Sequence, residues 1–256
     1  MRHRQPAICI RAIDYSETSQ VLRFFTRDTG VVPLLAKGSK RPRSSTGGAL
    51  DLLCEGQLVF SQPPSGAMGA LIEFTETTSH LALRSDARRL NAALYMIELI
   101  GAMLAEADPH PEAFDLLHNA LERLGEGDAP TGAVLAYFQW RMLRHTGLLG
   151  QLRCCAACGG DVGRGGNVYF SADQGGLLCP ACEGTCVEKF RLNAATLTGL
   201  ATLAAAQGRA RTTIKDTMGT KETLTDNQAT GVNRLLDYHI AYQLGKPLKM
   251  TRHAIR

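Results

Sequence analysis

The sequence predicts an α+β protein: an N-terminal five-stranded barrel, for which an OB-fold is the obvious candidate, then an α-helical domain with an inserted four-cysteine zinc finger. Three observations predict it. The first eighty residues are short apolar runs separated by turns, the period becomes helical after Ser85, and two C-x-x-C pairs interrupt the helical part.

The strands come first. Ala7–Ile13 alternates, with Ile8, Ile10 and Ala12 on one side; Val21–Thr26 follows, and Gly30–Ala36 comes after the Asp28-Thr29-Gly30 turn. Glu55–Ser61 and Ala70–Thr77 complete the set, divided by Pro63-Pro64-Ser65-Gly66. Five strands with turns every ten to fifteen residues fit a small closed barrel. An SH3-like barrel has the same strand count as an OB-fold, and periodicity does not choose between them.

Ser85-Asp86 then caps a helix whose apolar stripe is Leu90, Leu94, Ile97, Ile100 and Leu104. Pro109 and Pro111 break it, Glu112–Leu124 forms a second helix, and Ala133–His145 a third, stopped by Gly147. Helices resume at Asn193–Ala206 and at Thr225–Leu244, closed by Gly245-Lys246-Pro247. The expected division is therefore residues 1–80 for the barrel, 81–150 with 187–256 for the helical domain, and 151–186 for the zinc finger.

Cys155/Cys158 and Cys179/Cys182 carry the metal reading. Each tight C-x-x-C turn supplies two thiolates, and the twenty residues between the pairs let two such turns face each other around tetrahedral Zn²⁺. Gly175-Gly176 precedes Leu177-Leu178, which delivers Cys179, and Tyr169 and Phe170 are placed to cover one side. A filled four-thiolate shell leaves no open position, so this zinc is structural. Cys154 and Cys186 lie just outside the pairs and are alternatives to a neighbouring ligand; Cys9 and Cys54 read as strand or core residues.

Eight cysteines and no signal-peptide pattern at Met1–Pro6 favour a reducing, cytoplasmic setting. Charge is uneven. Residues 1–43 hold nine Lys/Arg against three acids, residues 81–150 six against nine, and residues 187–256 eleven against five. Two basic segments around an acidic middle suit a polyanion bound on particular surfaces. Phosphate-loop, dinucleotide, G-x-S-x-G and H-E-x-x-H motifs are absent, which argues strongly against a nucleotide-driven motor, and the seven histidines show no metal-ligand spacing.

The chemistry concentrates in Lys37-Gly38-Ser39-Lys40-Arg41-Pro42-Arg43, with four positive charges in seven residues between the third and fourth strands. Such a loop reaches phosphates beside an open strand face where aromatics stack on bases. Phe24 or Phe25 faces outward if the second strand is regular. The candidate DNA-binding set is Lys37, Lys40, Arg41 and Arg43, with Arg23 and Arg27 near the second strand and Lys246, Lys249 and Arg252 in the basic tail. Trp140, the only tryptophan, reads mainly as bundle core.

Tyr15-Ser16-Glu17-Thr18-Ser19, Phe25-Thr26-Arg27-Asp28-Thr29-Gly30 and Ala36-Lys37-Gly38-Ser39-Lys40-Arg41-Pro42-Arg43-Ser44 resemble the bacterial RecO family of recombination mediators. So do Asp108-Pro109-His110-Pro111, the cysteine segment, and Leu244-Gly245-Lys246-Pro247-Leu248-Lys249. The resemblance runs from about residue 5 to 252. It implies an N-terminal OB-fold, a helical domain and an inserted zinc finger held by Cys155, Cys158, Cys179 and Cys182. It further implies a nucleoid-associated, non-enzymatic mediator of the RecF pathway. Such proteins bind single- and double-stranded DNA, anneal strands and, with RecR, help RecA load onto DNA coated by single-strand-binding protein (SSB), whose C-terminal tail they contact. Trp140, Arg141 and Arg144 are the candidate site for that tail. The competing readings are a protein–protein adaptor with incidental DNA affinity and a metal-dependent hydrolase.

Overall fold

This computed structural model describes residues 2–41, 44–62, 68–150, 152–162, 168–207 and 224–255. The chain forms two compact units, Met1–Gly125 and Glu126–Arg256.

In the first unit, β1 (Arg2–Asp14), β2 (Gln20–Thr26), β3 (Gly30–Ala36), β4 (Glu55–Ser61) and β5 (Gly69–Thr78) close in the order β1-β2-β3-β5-β4, with β4 returning to β1. All neighbours are antiparallel except β3 and β5, which run parallel through Leu34↔Gly69 and Leu35↔Ala70. That order is the OB-fold. Ala7, Cys9, Leu22, Phe24, Leu34, Leu58 and Phe60 fill the interior, each essentially inaccessible to solvent. Burying each large side chain there contributes about 1.5–3 kcal/mol.

The alternation of β1 is not continuous. A bulge between Cys9 and Arg11 shifts the register, so Ala12 packs into the barrel with Cys9 and away from the side of Ile8 and Ile10. Helix α1 (Ala87–Met103) begins at Asp86, whose carboxylate accepts from the backbone N–H groups of Arg88 and Arg89. It lies on the outer face of β1, where Ile10 packs beside Gly101. Helix α2 (Pro111–Glu126) sets Phe114 against Phe25, ring centroids 5.7 Å apart. Between the two helices, Glu106 bridges Val31 and Ala107 N–H donates to the Val31 carbonyl at 3.0 Å, adding this link to the edge of β3. Gly30, at φ +78°, leaves no room for a side chain beside the Asp108 backbone.

The second unit packs α3 (Thr131–His145) and α4 (Ala194–Gln207) against α5 (Asp226–Leu244), with a three-stranded antiparallel sheet, β7 (Gly176–Leu178), β6 (Val168–Ser171) and β8 (Phe190–Leu192). Thr225 and Gln228 form a capping box at the start of α5, and Gly245, at φ +69°, ends it. Leu248 is buried, and Thr251 Oγ1 donates to Asp237 Oδ1 at 2.8 Å, so the tail folds back through α6 (Thr251–Ala254). No helix among the described residues is long and apolar enough to cross a membrane.

Candidate metal centre and nucleic-acid interface

The cysteine centre is built by backbone hydrogen bonds. Ala156 N–H donates to the Leu177 carbonyl at 2.8 Å, docking the first knuckle on β7, which delivers Cys179. Cys155 N–H donates to Gly160 O, and the N–H groups of Cys182 and Glu183 both donate to Cys179 O, closing the two turns. The sulfurs of Cys155, Cys158, Cys179 and Cys182 all lie within 4.8 Å of one another, and Cys158 Sγ to Cys179 Sγ is 3.8 Å. Four sulfurs about 2.3 Å from a tetrahedral Zn²⁺ stand about 3.8 Å apart, so the residues fit that ion.

The electrostatics agree with the geometry. Burial pushes the Cys155 thiol up, but backbone N–H groups, that of Cys179 foremost, outweigh it and bring the pKa to about 6. Cys182 is pushed up to about 12, chiefly through its hydrogen bonds to Cys158 and Cys179. Ionising all four cysteines would crowd four thiolate charges within this cluster, and a dication relieves that repulsion. Cys154 is outside the cluster. Cys186 packs beside it and accepts from Gln174 Nε2 at 3.7 Å. Tyr169 covers the cluster, with Lys189 Nζ 5.0 Å from its ring centroid, but Phe170 points to the opposite face and meets the His239 ring edge-on.

The basic loop is anchored in the first unit. Gly38 N–H donates to Ser19 Oγ at 3.1 Å, Lys40 N–H to Thr18 O at 3.1 Å, and Ser39 Oγ to Gln20 Oε1 at 3.1 Å. Lys37 and Arg41 are exposed and form no ion pair with another described residue. Lys40 is held by Asp14, Nζ to Oδ2 at 2.6 Å. Arg43 lies outside the described residues.

Arg23 and Arg27 are used internally. Arg23 Nη2 is 3.1 Å from Glu106 Oε1, and Arg27 makes two parallel hydrogen bonds of 3.0 Å to Asp115 on α2, which raises its pKa further. Phe24 and Phe25 are both fully buried, correcting the expectation that one faces solvent. The barrel interior lies on one side of β2 and α2 on the other. Arg11, opposite Arg23 in the β1–β2 register, is exposed. Sequence reading missed it because the bulge hides its face.

In the second unit Lys246, Lys249 and Arg252 are exposed, and Arg252 Nε donates to His253 Nε2 at 2.9 Å. Trp140 is 2% exposed and belongs to the core, which removes it as a partner-contacting ring. Arg141 donates to the Tyr137 hydroxyl at 2.8 Å, and Arg144 to the carbonyls of Leu149 and Gly150 at 3.2 and 3.1 Å, so both serve the end of α3.

The family model described as Recombination protein O N terminal matches residues 1–78, and that described as Recombination protein O C terminal matches residues 84–252. A protein of Anaeromyxobacter sp. strain Fw109-5 named DNA repair protein RecO is 34% identical over 182 residues, covering 71% of this chain and 70% of that protein. The protein of the same name from Anaeromyxobacter dehalogenans strain 2CP-1 is 33% identical over 199 residues, 78% of each chain. That of Salinibacter ruber is 35% identical over 145 residues, 57% of this chain and 56% of that protein.

Proposed function

The chain belongs to the RecO family of DNA repair proteins, with a role in recombinational repair, and from that premise we propose that it is a non-enzymatic, DNA-binding mediator of the RecF pathway. In this reading it binds single- and double-stranded DNA in the cytoplasm, anneals complementary strands and, with RecR, assists RecA loading onto strands coated by SSB, whose C-terminal tail it contacts. Residues 1–80 are its nucleic-acid-binding domain, 81–150 and 187–256 its helical domain, and 151–186 its zinc finger, with one structural Zn²⁺ on Cys155, Cys158, Cys179 and Cys182.

One observation carries the reading: Lys37 and Arg41 stand exposed on a loop whose backbone is fixed to β2 and to the β1–β2 turn. With the backbone already held, phosphate binding has only the side chains left to order, at about 0.5–1.5 kcal/mol each. Arg11 adds a third charge on the strand face. The Lys40–Asp14 pair is partly solvated, its side chains 25% and 67% exposed, and such pairs are worth about 0–1 kcal/mol, so a phosphate is able to displace the acid. Arg27 leaves the set of primary contacts, since it is doubly bonded to Asp115; Arg23, paired with Glu106 at side-chain exposures of 23% and 53%, stands with Lys40 as a cation that a phosphate must first free from its acid. Annealing follows from neutralising two backbones while the bases stay free to pair.

The test is the salt dependence of single-strand binding. Three phosphate contacts give a slope of log affinity against log salt of about −2. The double variant Lys37→Glu/Arg41→Glu is expected to weaken binding and flatten the slope to about −0.7. Unchanged affinity and slope would remove this loop from the function. Annealing of SSB-coated complementary strands without ATP is the matching activity assay, and the variant is expected to lose it.

A further inference from the structure

Rows of side chains cross the outer face of β1, β2 and β3 by register. Ile8, Phe25 and Val31 form the first row and lie fully buried, Phe25 against Phe114 of α2. Arg11, Arg23 and Pro33 form the next, and Ile13, Val21 and Leu35 the one after, extended by Ala70 of β5. The loops beyond the strands stay in touch at this end. Tyr15 N–H donates to Ser19 O at 3.0 Å and Gly38 N–H to Ser19 Oγ at 3.1 Å, so Tyr15 and Lys37 both leave the barrel beside the Ile13–Val21–Leu35 row.

This end of the face is apolar yet uncovered. Tyr15 is 69% exposed and Ile13 44% exposed, with Val21 and Leu35 half-buried beside them. The Tyr15 side chain has no partner among the described residues. Its backbone is nevertheless held, because Ser16 N–H also donates to Ser19 O and Lys40 N–H to Thr18 O. Lys37 and Arg11 flank the strip, Lys40 neutralises Asp14, and Glu17 sits at the tip of the turn, beyond the Tyr15–Ser19 pair.

An exposed aromatic ring on a hydrogen-bonded turn, with cations along the same strip, suits a nucleobase whose face is free, since every base offers a π-face and phosphates run alongside. A duplex hides those faces in its stack. We infer that Tyr15 stacks on an unpaired base above the Ile13–Val21–Leu35 strip, with Lys37 and Arg11 on the flanking phosphates, and that this contact makes the barrel prefer single-stranded to double-stranded DNA. The inference rests on the nucleic-acid reading of the basic loop and assigns the base contact that Phe24 and Phe25, both buried, do not provide.

The full chain is titrated with labelled oligothymidylate, with an abasic strand of equal length and with a duplex. Tyr15→Ala is expected to bind oligothymidylate about tenfold more weakly while keeping its affinity for the abasic strand and the duplex, with an unchanged salt slope. Tyr15→Phe keeps wild-type binding. In Tyr15→Trp the new indole is quenched by oligothymidylate but not by the abasic strand, the only other tryptophan, Trp140, being 2% exposed. Unchanged oligothymidylate affinity in Tyr15→Ala, or an equal loss on all three ligands, overturns the inference. If Lys37→Glu/Arg41→Glu loses binding while Tyr15→Ala does not, the stacking role falls and the basic-loop reading stands. If the wild-type chain binds none of the three, both fall.

Discussion

His118 Nδ1 on α2 lies 2.7 Å from Glu55 Oε1 on β4, tying the second helix to the barrel through a carboxylate only 9% exposed. The other oxygen of Glu55 is 3.1 Å from His80 Nε2, in the link before α1. Burial alone raises the Glu55 pKa, but the two imidazoles outweigh it and hold it at about 2. The same carboxylate raises the pKa of His118 against the opposing effect of burial, with smaller help from Glu122 and Asp115.

The first prediction is a pH window. Glu55 contributes stability that is complete above its unfolded value near 4.5 and disappears as pH falls toward 2. His118 contributes stability that is complete below its unfolded value near 6.5 and is lost as pH rises through its elevated folded value. The first unit should therefore be most stable between about pH 4.5 and 6.5 with respect to this pair. His118→Gln is expected to cost about 1–2 kcal/mol there, below the figure for a fully buried pair because the His118 side chain is 37% exposed. Urea denaturation at pH 5.5 and 8.5 measures it. An equal loss at both pH values would show that the charge of His118 is irrelevant.

Metal content gives the second. Purified chain is expected to carry one zinc, and Cys158→Ser to carry none or to lose it readily to a chelator, with ribbon amides exchanging faster. Cys154→Ser and Cys186→Ser should retain the metal, since neither sulfur joins the four-sulfur cluster. Elemental analysis decides; loss of zinc in Cys186→Ser would revise the ligand set.

The third concerns arginines that look like DNA contacts and are otherwise engaged. Arg27→Gln should leave the salt slope of single-strand binding where it is in the wild type while lowering the thermal midpoint of the first unit, because it breaks both bonds to Asp115. A slope reduced as much as by Lys37→Glu would return Arg27 to the interface.

Phe25→Ala supplies the fourth. The ring is fully buried against Phe114, so its removal should cost about 3–5 kcal/mol in chemical denaturation. An outward stacking residue would lower DNA affinity and leave the midpoint alone.

Local chemistry was the legible part of this chain. The C-x-x-C turns, the Asp86 and Thr225 caps and the Gly245 stop each depend on a few adjacent residues, and the helices they bound end within about two residues of their expected places. Five strands were legible from alternation. A small closed barrel followed from their number and turn spacing, but the strand order that closes it did not, because the parallel contact of β3 with β5 joins residues distant in sequence. The fate of Phe25, Arg23 and Arg27 was hidden for the same reason: Phe114, Glu106 and Asp115 lie more than eighty positions downstream. Tyr15 stands inside a segment that carries the family resemblance, yet its exposure follows from the face it shares with Arg11 and Ile13 beyond the bulge in β1.

The bridge from Glu106 to Val31 has a practical corollary for anyone dissecting this chain. β3 and β5 pair over only two residues, and the remainder of that seam is closed by a segment that follows α1. A fragment cut at residue 80 would therefore leave an open, sticky border on β3 together with the bared side chains of Ile8 and Phe25, and self-association in the test tube is the expected fate. Expressed through residue 125, the same barrel keeps its own stopper.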